Sequence, residues 1–452
     1  MKNKLSFSSH VAIGFMLFAL FFGAGNLIFP AQLGQYAGTN IWPAIIGFLI
    51  TGVGLPLLGI FAMGFSGSNN LQELAGRVHP IYGVFFTALL YLTIGPFFAA
   101  PRTGTVAYEV GIAPFVDGGN GQLGLFIFSL LFFTVAFLFS MYPAKLVDNV
   151  GKILAPALVV LLAILLLAAI FNPMGPIQSP EEGYQTGAFV TGFLEGYNTM
   201  DALASLVFGI IIITVIRSMG VTSKGRIFTE AAKSGGVAIG LLAFIYIGIA
   251  FLGAMSTSTL GLFDTGGPVL SGAASHYFGT VGSILLAIVI LLACLTTAIG
   301  LIIANAEYFH TLFPKISYKK FVVFFSLLTF IVANFGLANI ISYSIPVLMF
   351  LYPLSIVLML LTFLSPLFNH SQLVYVSTIA VTFLISIFDG LKALCDSLEI
   401  SYFNWMEPVL AFYESVLPLY NEGLGWLIPA VIIIFVTGIV AKLQKADAVQ
   451  KV

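Results

Sequence analysis

Apolar stretches long enough to cross a bilayer recur from one end of this chain to the other, and no water-soluble fold buries that many. Spanning ~30 Å of hydrocarbon takes about 20 apolar residues as helix. Twelve stretches qualify: 9–37, 41–65, 81–112, 123–141, 149–171, 188–216, 236–257, 279–307, 320–337, 340–364, 372–391 and 424–441. Of 452 residues, 59% are hydrophobic and 8% charged, against about a quarter charged in a soluble domain. The expected fold is all-α and polytopic, a single transmembrane domain over residues 1–451. The first apolar run continues from Phe15 past Phe29 without a small-residue cleavage site, so it reads as a retained helix and not a signal peptide.

Basic residues test the count, because alternate connections should be basic on the cytoplasmic side. Lys2, Lys4, Arg77, Lys145, Lys152, Arg217, Lys224, Arg226, Lys233, Lys315, Lys319, Lys320, Lys442, Lys445 and Lys451 all fall on one side, 15 of the 17 basic residues. Only Arg102 and Lys392 are left over. The opposite connections carry Asp117, Glu181, Glu182, Asp264, Asp396, Glu399, Glu407, Glu414 and Glu422. An error of one helix destroys the alternation, so both termini are expected in the cytoplasm. Segment 392–423 becomes the largest outside loop, with a short surface helix around Trp405, and Gly336 and Asn339 form the turn between spans nine and ten.

Composition also excludes functions. A net charge of −1 gives no reason for a nucleic-acid partner. Cys294, in an apolar span, and Cys395, in a loop region, do not suggest a disulfide. The five histidines show no metal spacing. No GxxxxGK[ST] motif is present to couple nucleotide hydrolysis, no repeated filter segment suggests a channel, and no clustered His, Asp or Glu suggests a membrane enzyme.

Two spans are too long and have flawed centres. Spans one and six run to about 29 residues, ~44 Å as helix. The middle of the first is Gly23-Ala24-Gly25-Asn26; the middle of the second is near Ala202, inside GYNTMDALAS (196–205). They lie five spans apart and run in opposite directions. An inverted repeat of two five-helix units, 9–171 and 188–364, with extra helices 372–391 and 424–441, gives that relation. Matched interruptions point to a transporter site at the bilayer midplane. A break frees backbone N–H groups that suit a carboxylate and carbonyls that suit a small cation. The plainer reading of Gly23 and Gly25 is close helix packing.

Span eight contains LACLTTAIG (292–300), in which Ala293, Thr296 and Thr297 share one helical face. Two hydroxyls and a carbonyl make a neutral oxygen half-site suited to a monovalent cation; threonines that bond their own preceding turn explain the pair equally well. Charged side chains inside spans are functional candidates. Arg102, in span three, is expected to pair with Glu195, Glu109 or Asp201 near an outer gate, or to form a static ion pair. Asp201, with Asn198 and Thr199 beside it, is a candidate contact for a substrate ammonium or a proton carrier, or a helix cap.

FFGAGNLIFPAQLGQYAG, EGYNTMDALASLVFG and LACLTTAIG together resemble the bacterial branched-chain amino acid carrier family, sodium-coupled importers of leucine, isoleucine and valine, over essentially the whole chain. That family is similar in architecture to LeuT-type transporters, with the five-plus-five inverted repeat and broken helices one and six. The resemblance implies a cell-membrane sodium symporter working by alternating access, not an enzyme, with no obligate protein partner indicated. It implies substrate contacts at Gly23, Ala24, Gly25 and Asn26 and in the region Tyr197, Asn198, Thr199, Met200, Asp201 and Ala202. It implies a sodium ion between the Ala19 and Phe22 carbonyls and Ala293, Thr296 and Thr297. Pro30 follows Asn26 one residue sooner than in the LeuT pattern, which puts the carbonyl positions in question by one residue. The competing reading is a proton-coupled amino acid transporter using Asp201 or Glu195.

Overall fold

The computed structural model describes residues 5–115, 121–142, 146–221 and 223–450. Lys2, Lys4, Asp117, Lys145 and Lys451 of the charge pattern lie outside them. Every regular element among the described residues is helical. In chain order these are α1 (Phe7–Phe21), α2 (Ala24–Ala37), α3 (Ile41–Leu49), α4 (Leu55–Ser66), α5 (Leu71–Ala75) and α6 (Pro80–Leu92). There follow α7 (Ala99–Gly111), α8 (Gly121–Met141), α9 (Leu146–Phe171), α10 (Ala188–Glu195), α11 (Asp201–Ser218) and α12 (Lys224–Leu260). The chain closes with α13 (Gly266–Leu312), α14 (Tyr318–Ala333), α15 (Leu337–Leu364), α16 (Gln372–Ser397), α17 (Glu407–Val416) and α18 (Leu427–Gln450).

Helix occupies all twelve expected stretches. Nine continuous helical stretches among the described residues are long and apolar enough to cross a membrane, and Phe7–Phe21 and Pro156–Phe171 are shorter apolar helices. Breaks account for part of the difference: span one is divided into α1 and α2, and α2 runs on with span two as one stretch, Ala24–Ser66. Large apolar side chains such as Leu131, Phe171, Leu327 and Phe435 point outward, as lipid-facing residues of a bundle do.

Five local features differ from expectation. Span three is also interrupted: Thr93–Phe97 widens to a π-turn with Gly95 at φ −88°, ψ −119° and Pro96 beside it. Proline removes a ladder donor, and glycine accepts the resulting geometry. The turn between spans nine and ten is made by Asn334, Phe335 and Gly336, the last at φ 84°, and Asn339 is already inside α15. Cys395 is buried in the last turns of α16, not in a loop. The short surface helix expected around Trp405 begins at Glu407, just after that exposed residue. α13 bends at Gly279 (φ 60°), separating a first arm, 266–278, from span eight, 280–312.

Packing follows an exchange. α1 and α2 of span one lie along α12 of span seven; α10 and α11 of span six lie along α3 and α4 of span two. α7 of span three lies along span eight of α13. Small residues set these approaches, since in lipid close backbone contact replaces the hydrophobic drive between helices. A Cβ on Gly34 would run into the Ala250 backbone, and one on Gly192 into that of Ala44. Near the start of α1, His10 is bonded to the buried Glu230 of α12 at 2.6 Å, and the Leu5 N–H donates to the same carboxylate at 3.2 Å.

Candidate transport site

The first helix breaks between two cap residues. Phe22 (φ −74°, ψ 92°) ends α1 with its N–H on the Phe18 carbonyl; Gly23 (φ −119°, ψ −165°) starts α2. The Gly23 N–H does not close the ladder to Ala19 but donates to Asn26 Oδ1 at 2.9 Å. The carbonyls at the end of α1, Ala19 to Phe22, thus lose the continuation of their helix, and the first-turn N–H groups of Ala24, Gly25 and Asn26 have no intrahelical acceptor. The extended backbone of Gly23 is one any residue adopts; what the glycines provide is space. A Cβ on Gly25 would stand 3.3 Å from the Phe29 ring and 3.6 Å from Arg102 Nη1.

The sixth span breaks over a longer segment. Gly196–Thr199 is a 3₁₀ turn, and Met200 sits in the left-handed region at φ 61° before α11 begins at Asp201. This is four or so residues ahead of the centre expected near Ala202. Side chains bond locally around the loosened backbone: Thr199 Oγ1 donates to the Gly196 carbonyl at 2.9 Å, and Asn198 Nδ2 donates to the Glu195 side chain, at Oε2, at 2.9 Å.

One residue joins the two breaks. Asn26 Nδ2 donates to Asp201 Oδ2 at 2.5 Å and to the Tyr246 hydroxyl of α12, and Tyr246 also donates to Asp201 Oδ2 at 3.3 Å. With its Oδ1 taken by Gly23, Asn26 is a clasp whose polar atoms are all engaged. Asp201 uses its carboxylate across the helix gap and makes no side-chain cap on α11.

The breaks face one cavity. Gly23, Ala24, Gly25 and Asn26 line it from span one, and Thr199, Met200 and Asp201 from span six. Thr297 comes from span eight and Arg102 from span three. Tyr197 and Ala202 are buried behind the wall, where Tyr197 stacks on Tyr352 at 4.0 Å between centroids. Thr297 packs beside Gly23, so span eight lies against the break of span one. Both hydroxyls of the pair donate to the Ala293 carbonyl, Thr296 at 2.9 Å and Thr297 at 3.0 Å. This is the back-bonded arrangement; it occupies the Ala293 carbonyl and leaves the hydroxyl lone pairs free. Thr296 does not line the cavity.

The expected ion pair of Arg102 is not formed. Its Nη1 donates to the Asn198 carbonyl at 2.5 Å and its Nη2 lies 3.3 Å from Ser344 Oγ of α15. Its guanidinium carbon lies 4.9 Å from the Phe29 ring centroid. It therefore stands at the level of the breaks, bridging spans three, six and ten, and not at an outer gate. Glu109 lies in the last turn of α7 and accepts from Thr265 Oγ1, just before α13, at 2.7 Å. The sequence reading missed Tyr246 and Ser344, which sit in apolar runs without a marker, and the cavity residues Leu20, Ile94, Phe208 and Leu301. The Gly95-Pro96 pair was a usable signal for the third interruption.

Comparison with known proteins gives the same direction. A family model described as branched-chain amino acid transport protein matches residues 6–444. The branched-chain amino acid permease BrnQ of Bacillus subtilis (strain 168) is 48% identical over 431 residues, 95% of this chain and 96% of that protein. BrnQ of Escherichia coli (strain K12) is 40% identical over 435 residues, 96% of each. Among solved structures, inward-facing Mhp1 matches with a TM-score of 0.56 at 14% identity, covering 97% of this chain and 91% of that one. MhsT in complex with L-phenylalanine matches with 0.52 at 17% identity, covering 95% and 98%. These two likenesses concern the fold, which is that of LeuT-type transporters. With a family model covering nearly its whole length and relatives above 40% identity end to end, the chain belongs to the branched-chain amino acid transport protein family.

Proposed function

We propose that this chain is a secondary active importer of leucine, isoleucine and valine that works by sodium symport with alternating access. The observation that carries the reading is the convergence of two helix breaks on one cavity, with a span-eight threonine beside the first. The free amides of Ala24 and Gly25 and the positive end of α2 suit the substrate carboxylate. Apolar residues such as Ile94, Phe208 and Leu301 suit its side chain. Twelve crossings in a five-plus-five inverted repeat fit the packing exchange, because the pairs one–seven and six–two interchange when the halves are swapped. The basic connections support a plasma-membrane protein with both termini in the cytoplasm.

Sodium is the cargo that would couple the cycle. Thr297 Oγ1, Thr296 Oγ1 and the carbonyls ending α1 form an all-oxygen donor set without formal charge, which fits a monovalent ion. The ion and the amino acid are coupled when both bind the same conformation preferentially. Glu109 acts at the outer side by holding the first arm of α13 through Thr265, and Glu195 orients Asn198.

The proton-coupled reading keeps one specific support: Asp201 is a buried carboxylate whose hydrogen-bond partners, Asn26 and Tyr246, are neutral. Labelled leucine uptake into proteoliposomes under an imposed sodium gradient, against an imposed proton gradient, decides between them. Uptake driven by sodium alone is the expected result. Uptake driven by protons alone moves the coupling role to Asp201, and no leucine uptake from folded protein under either gradient discards the substrate assignment.

A further inference from the structure

Arg102 and Asp201 face the cavity without an ion-pair partner among the described residues. Arg102 is 2% exposed. A guanidinium carries five N–H donors; one of Arg102's goes to a backbone carbonyl and one to a serine hydroxyl, and its buried Nε has no partner. Asp201 is 4% exposed, and only Oδ2 accepts hydrogen bonds, both from neutral groups. Neither forms a salt bridge among the described residues. A buried charge lacking a counter-charge is costly, and here two such groups of opposite sign line one cavity.

We infer that Arg102 and Asp201 select the substrate as a zwitterion, Arg102 taking the carboxylate and Asp201 the ammonium. This deepens the amino acid reading above and rests on it. Arg102 Nη1 lies by Gly25, at the corner where the first-turn amides of α2 point. A carboxylate there meets the guanidinium and the helix N-terminus together, a charge-assisted contact from two directions. Asp201, across the gap at the start of α11, receives the ammonium on the oxygen the clasp leaves open. Each group then acquires a counter-charge from the substrate, while Leu20, Phe21, Ile94, Phe208 and Leu301 enclose the hydrocarbon branch. Because Arg102 also holds the Asn198 carbonyl and Asp201 also holds Asn26, the bound zwitterion ties the two breaks together. Arg102 is thus a substrate-binding residue and not a gate.

The test uses the purified wild-type protein first, so that it does not depend on a variant folding. Apparent affinities come from ligand-induced shifts in unfolding temperature with leucine, leucinamide (no carboxylate) and 4-methylpentanoate (no ammonium). Loss of either charge is expected to weaken binding by about 100-fold or more, as when a polar site is left unpaired. In Arg102→Gln, leucine should weaken by a similar factor while leucinamide binds as it does to wild type; a merely structural role for Arg102 would weaken both alike. Arg102→Lys, which keeps the charge, should recover part of the leucine affinity. Leucinamide binding wild type as tightly as leucine, or equal losses for both ligands in Arg102→Gln, overturns the inference. Absence of leucine binding to folded wild type fails the amino acid reading itself and the inference with it.

Discussion

The two helix breaks solve one problem with different materials. The break in span one is short and made of backbone: Phe22 and Gly23 turn the chain, and the amides of Ala24 and Gly25 are left bare. The break in span six is longer and made of side chains: Thr199 and Asn198 bond local groups, and Asp201 reaches across to Asn26. A bare backbone presents donors at fixed positions with no rotamer to order, which suits a group common to every substrate. Side chains satisfy a looser backbone and set charge, which suits discrimination. The comparison makes the first break intolerant of bulk and the second sensitive to loss of polarity.

The largest effect is expected where bulk enters the first break. Gly25→Val pushes into the Phe29 ring and Arg102, and uptake should fall about tenfold to a hundredfold, the 1–3 kcal/mol of a forced overpack. Gly23→Ala meets nothing nearer than 3.7 Å, so it should keep the fold and lose less uptake than Gly25→Ala. If the two glycines prove equally intolerant in a transport assay, space is not what distinguishes them.

Removing the clasp comes next. Asn26→Ala leaves Asp201 with Tyr246 alone, and stability should drop by about 2 kcal/mol, typical of hydrogen bonds to a charged group. Denaturation in detergent measures this, and a loss no larger than that of Asn198→Ala would place the junction of the breaks elsewhere. Thr297→Ala should raise the sodium concentration for half-maximal uptake about tenfold, a loss of ~1.4 kcal/mol, and more than Thr296→Ala, since only Thr297 lines the cavity. Expression falling in parallel with sodium dependence would return both threonines to helix packing.

The smallest effect concerns Met200. A non-glycine residue in the left-handed region costs roughly 1–2 kcal/mol, and glycine gives part of that back in the unfolded chain. Met200 is also 1% exposed in the core, and deleting a buried methionine side chain costs about 2–5 kcal/mol, so the two largely offset and Met200→Gly should lower stability by about 1 kcal/mol. A clear gain in thermal unfolding would show that the backbone strain outweighs the packing of the side chain.

The breaks were legible in the sequence to different degrees for a physical reason. Gly23-Ala24-Gly25-Asn26 stands out because nothing else in an apolar span looks like it, and the structure interrupts the helix at Gly23. In GYNTMDALAS the polar residues mark a region but not the point of breakage, because each hydroxyl or amide can serve either side of the gap. The helix restarts at Asp201, so the break lies ahead of the geometric centre. Span three's interruption escaped because hydropathy sees TIGPFF as apolar, although Gly95-Pro96 carries the signal. Partners of Arg102 were sought at helical spacing and among carboxylates; the real ones, the Asn198 carbonyl and Ser344, lie on other spans, and no local pattern encodes them.

The account's central claim is that the amino acid sits between the two breaks. Both native cysteines are buried, so a thiol introduced at Ala204, on the cavity wall, reports its own accessibility. A second at Ser275 reports on a separate cavity lined by Glu109, Phe115 and Ser271. The measurement is the rate of maleimide labelling of Ala204→Cys and Ser275→Cys with and without leucine, in sodium. The account predicts that leucine slows labelling at Ala204→Cys and leaves Ser275→Cys unchanged. Protection at Ser275→Cys with none at Ala204→Cys would contradict it and move the substrate to the second cavity.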